Sequence, residues 1–304
     1  MPGSWQIASL FCKFFFYFGA ASAIGGSFCL WLYGDGSRRT VSQVLVYQLT
    51  GGLLGFHAVI ANFLVQVGQV NDSGIAGAFD WTMAEILLDT PLGDLSLFRL
   101  VGFVLIVAAS VLLLRQSSQL HSAPSVRFYH YNVLGAALGF LLILYSFRFG
   151  GHVSVLGAQV QLALVIHFAA FALWVGALWP LLQLSSRAEL ANLQLSLKQF
   201  GDHAVVIVIA LFLAGVLLLI NLVNSPAELI ETAYGRGLLI KFLLVVALLG
   251  IAAMNRLKLV PAMLREGSST RFRKSVQLEI AVAILLLLVT AYLSTIVGPM
   301  SHSM

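Results

Sequence analysis

GAQVQLALVIHFAAFALWVGALWPLLQ, residues 157–183, contains no Asp, Glu, Lys or Arg. A membrane-spanning helix needs about 20 mostly apolar residues, and this run exceeds that. Its one ionisable side chain, His167, falls near the middle. Seven more runs of the same kind lie near 12–33, 42–67, 97–114, 128–148, 203–223, 236–255 and 276–297. The spacing predicts an all-α polytopic membrane helix bundle of about eight transmembrane helices. Composition agrees: 60% of the 304 residues are hydrophobic and 10% charged, against about 25% charged in a soluble domain. The opening MPGSWQIASLFCKFFFYFGA lacks a basic start, and its apolar run outlasts a signal segment, so it reads as a retained first span. No repeat or linker divides the chain, and residues 1–304 read as a single integral membrane domain.

The loops alternate in charge. Odd-numbered loops carry Arg38 and Arg39, then Arg115 and Arg127, then Arg187 and Lys198, then a run from Arg256 to Lys274. Even-numbered loops have only Arg99, Arg148 and Arg236, all at helix ends. Lys and Arg favour cytoplasmic loops, so the odd loops are expected inside and both termini outside, in the periplasm. The longest external loop, 68–96, is acidic, with Asp72, Asp80, Glu85, Asp89 and Asp94. Within it AFDWTMAEILL suits a short helix lying on the membrane surface. The loop is either a solvated cap or a funnel for cations.

Ionisable groups within a bilayer are costly and suggest function. His57 and His167 each sit mid-span on different helices, and imidazole is a common metal ligand and a haem ligand. His152 stands at the outer edge before the fifth span, about 22 Å from His167 if the chain between is helical. Trp174, seven residues beyond His167, shares nearly the same helix face and suits a path-lining role for a cation. In the tail, Met300, His302 and Met304 alternate; thioether with imidazole suits copper, Cu(I) especially. Glu279 and Arg256 are at matching depth and are expected to form a structural ion pair. Cys12 and Cys29, 17 residues apart on one helix, are about 25 Å apart and cannot bridge. No Walker loop, serine elbow, CxxC or HExxH occurs, so no enzymatic activity is expected. The net charge of +5 sets topology and does not point to nucleic acid.

Three segments resemble the copper resistance protein D family, CopD/PcoD. GHVSVLGAQVQLALVIHFAAFALWVGALWP at 151–180 is similar to its GH…H…WvGgl pattern. YGRGLLIKFLLVVALLGIAAMNRLKLVP at 234–261 is similar to YGrlLLlK…NR…P. DTPLGDLSLFRL at 89–100 is similar to a T-x-x-G…R pattern, and Glu279 also fits. On this resemblance His152 and His167 are the motif histidines, and Trp174 and Gly176 belong to the WvG element. The chain departs at Phe200-Gly201-Asp202-His203, where the family tends to have a serine after the phenylalanine.

The resemblance implies copper ion transport across the bacterial inner membrane, usually taken as inward, with a periplasmic copper chaperone of the CopC type as partner. His152 would receive the metal, with the acidic loop and tail gathering it, and His57 and His167 would pass it through the bundle. The alternatives are a haem-binding redox protein with His57 and His167 as axial ligands, or a non-transporting docking partner for a periplasmic copper protein.

Overall fold

Every one of the eight apolar runs forms a helix, and most of the helices extend beyond them. The computed structural model describes residues 3–33, 36–119, 123–151, 155–186, 189–223 and 225–298. The elements begin with α1 (Ser4–Tyr33), α2 (Arg38–Asn71), a 3-10 turn (Ile75–Phe79) and α3 (Trp81–Leu88). Next are α4 (Pro91–Ser118), α5 (Val126–Ser146), α6 (Ala158–Leu184) and α7 (Leu190–Leu222). Last come the single-turn α8 (Glu228–Glu231), α9 (Ala233–Met254), α10 (Val260–Glu266) and α11 (Thr270–Tyr292). Among the described residues there is no strand, and eight helical stretches are long and apolar enough to cross a membrane. The chain is a multi-pass helical membrane protein.

Local chemistry sets the boundaries. Thr90 caps α4, its hydroxyl accepting from the Leu92 N–H, and Pro91 occupies the first helical position, where its missing N–H costs nothing. Asp72, in the left-handed region at φ 49°, ends α2. The acidic connection is therefore narrower than the expected 68–96, running between Asn71 and Pro91. The short helix expected within AFDWTMAEILL is present as α3. The Asp80 carboxylate caps it, accepting from the Met83 N–H at 3.0 Å. The earlier start of α4 also moves Arg99 from a helix end to eight residues inside.

α1 is the hub, packing against α2, α5, α6 and α11. Small residues make this possible. A Cβ on Gly25 would collide with the Gly176 backbone of α6, and one on Gly176 with the Ala21 carbonyl of α1. Close backbone approach through small residues is how membrane helices gain dispersion contact where water drives nothing. Around that seam sits a core of Phe16, Ala20, Phe103, Ile143, Phe168 and Ala172. The outward faces of α7 and α9 carry exposed Phe212, Leu213, Ile220, Phe242 and Leu243. Such a surface suits lipid, which is as apolar as the side chains themselves.

Two interruptions are π turns, Asn255–Leu259 between α9 and α10 and Leu293–Val297 after α11. In the first, the Val260 N–H reaches the Asn255 carbonyl, five residues back. Single π turns occur often at functional sites, and polar contacts gather at both of these.

Candidate functional site

Consecutive spans cross in alternate directions, so the bundle has one end bearing the acidic connection and one bearing the basic loops. His167 on α6 is nine residues in from Ala158, roughly 13 Å from the acidic end at 1.5 Å per residue. Its Nδ1 is 3.1 Å from the Leu211 carbonyl of α7. A carbonyl can only accept, so Nδ1 carries the proton and Nε2 keeps its lone pair for another partner. A histidine ligand oriented by a carbonyl at its other nitrogen has this arrangement. Gly215, one turn beyond Leu211, makes the room: a Cβ there would stand 3.2 Å from the His167 ring. Lys241, eight residues into α9, lies at about the same depth.

His57 is placed differently. Its ring is exposed on the outer face of α2 and donates back to the Leu53 carbonyl of its own helix at 2.8 Å. It has no part in the α6–α7 contact that holds His167. His57, expected with His167 on one route, packs beside Phe56 and is exposed. The physical reason is helical phase, because the small residues Gly51, Gly55 and Ala58 turn inward and leave position 57 outside. Trp174 is 3% exposed and packs among Leu178, Leu211, Leu248 and Leu286. The indole is thus part of the seam between α6, α7, α9 and α11. His152, Met300, His302 and Met304 lie outside the described residues. Among the described residues no cluster of three or more His, Cys, Asp or Glu is poised to hold a metal ion.

The basic end holds a second polar group. Glu279 on α11 is 3% exposed and accepts from Asn255 Nδ2 at 3.0 Å. The expected Glu279–Arg256 ion pair does not form. Arg256 instead pairs with Asp202 of α7 at 2.8 Å and donates to the Gly201 carbonyl. Successive helical residues are about 100° apart around the axis. When Asn255 faces α11, Arg256 faces α7. Beside this, His203 Nδ1 lies 2.7 Å from the Tyr33 hydroxyl and 3.0 Å from the Gln199 carbonyl, with Phe28 against its ring and Phe200 against that of Tyr33. The sequence drew attention to 200–203 only as a departure, since partners across helices are not encoded in spacing. Cys12 and Cys29 are both free and buried.

Fold and polar interior together define a polytopic membrane protein with ionisable groups held inside its bundle. Residues 194–293, 100 of the 304, match the family model for copper resistance protein D, CopD. The resemblance to that family is thereby supported over α7 to α11, a segment that includes Asp202, Lys241, Asn255, Arg256 and Glu279. The chain matches no curated protein and no solved structure. The chain is thus a multi-pass membrane protein whose α7–α11 segment is similar to copper resistance protein D.

Proposed function

We propose that the chain carries copper ions across the bacterial inner membrane, from periplasm to cytoplasm. The observation that carries this reading is the copper-family match over 194–293 within a bundle of eight apolar spans. The basic end faces the cytoplasm, by the bias of Lys and Arg toward that side, and both termini face the periplasm. His152 and the Met300, His302 and Met304 tail capture the ion, delivered by a chaperone of the CopC type. His167 takes it next through Nε2. A transit site must be weak enough to release its ion, and a single imidazole meets that requirement better than a closed cage of thiolates. His57 is left out of the route because its ring is on the outer surface. Without a nucleotide motif in the sequence, flow follows a gradient or is coupled to a second ion.

The test is copper accumulation in cells expressing His167→Ala, with membrane insertion checked by immunoblot. Accumulation should be abolished while the protein still reaches the membrane. Unchanged accumulation would turn the reading toward a docking role. Metal analysis of the purified protein should find copper and no iron, with no Soret band.

A further inference from the structure

Lys13 of α1 and Arg99 of α4 line one small cavity with Cys12, Asn62 and Ser96. The two cations lie nine and eight residues into their helices, roughly 12–14 Å in from the acidic end. Lys13 Nζ donates to the Ser294 carbonyl in the second π turn at 2.7 Å. Arg99 Nε donates to Ser146 Oγ at 3.0 Å, and its guanidinium covers the Phe16 ring at 4.1 Å. An ammonium has three donors and a guanidinium five. Most of the donors here therefore meet no protein acceptor among the described residues. No carboxylate answers either charge: the ion pairs among those residues are Arg256–Asp202 and Arg271–Glu266. Asp94, the acid on α4, is exposed.

Two like charges lining one small cavity, with donors to spare, favour an anion between them where lipid rather than water surrounds the bundle. Asn62 adds a donor, since its Oδ1 is taken by the Ser9 hydroxyl at 3.0 Å and its amide nitrogen is left over. The space admits about one water-sized sphere, a size that suits a monatomic ion better than a phosphate headgroup. We propose that this is a halide site, with chloride held by Lys13, Arg99 and Asn62. It is independent of any copper route: bound chloride cancels positive charge in the half of the bundle nearest the acidic loop.

The measurement is the 35Cl NMR linewidth of sodium chloride added to the purified protein in non-ionic detergent and gluconate buffer. Wild type should show an excess linewidth that bromide displaces, and Lys13→Met and Arg99→Gln should each lose it. No excess linewidth in wild type, or the same bromide-sensitive excess in folded Lys13→Met, overturns the site. Should either variant not fold, bromide anomalous scattering from wild-type crystals decides. A peak between Lys13 and Arg99 supports the proposal. A peak elsewhere, no peak, or lipid headgroup density in that place overturns it.

Discussion

Glu279 shows how a buried acid is held without a cation. Its carboxyl group is shielded within the bundle and receives one neutral donor, Asn255. Asn255 Oδ1 and Ser275 Oγ are buried without a hydrogen-bond partner among the described residues, where native structures leave few such atoms. The cation once expected there, Arg256, is on the outside of the same turn, where both it and Asp202 are substantially exposed. Exposed pairs contribute little because water screens them and ordering two side chains costs entropy. Asp202→Asn should therefore lower stability by less than about 1 kcal/mol, read as a shift of the thermal midpoint in detergent.

At the scale of elements, the α1–α6 seam decides how the helices sit. Gly25 and Gly176 bring two backbones into contact, and the Gly176 carbonyl also accepts from the Tyr47 hydroxyl of α2 at 3.2 Å. Three helices thus meet at one glycine, which the sequence offered only as part of a WvG pattern. An isopropyl side chain there has no space to use. Gly176→Val should destabilise by at least about 1–3 kcal/mol, the usual cost of overpacking. The check is loss of monodisperse protein on size-exclusion chromatography and a lower thermal midpoint. A neutral result would mean that α1 and α6 can part without consequence.

For the whole molecule, the distribution of charge argues for orientation. The segment from Arg256 to Lys274 gathers six basic residues around the α9–α11 connection, while the α2–α4 connection is acidic. Single cysteines placed in a Cys12→Ser, Cys29→Ser background report this directly. A cysteine at Ser73 should react with an impermeant maleimide in intact cells, and one at Ser268 only after lysis. The reverse pattern would invert the bundle and with it the proposed direction of copper flow.

The sequence alone determined the class of fold, the number of spans, a short helix within AFDWTMAEILL and the sidedness expected of the loops. Those features are local: apolar length, cap chemistry and charge counts act through neighbours in the chain. It also marked His167 as an intramembrane group, since position along a span is local too. Only the tertiary structure decided that His57 turns outward, that Asn255 rather than Arg256 meets Glu279, and that Lys13 and Arg99 share a cavity. Each of those depends on the rotation of one helix against another, set by glycine contacts and π turns whose partners are far away in the chain.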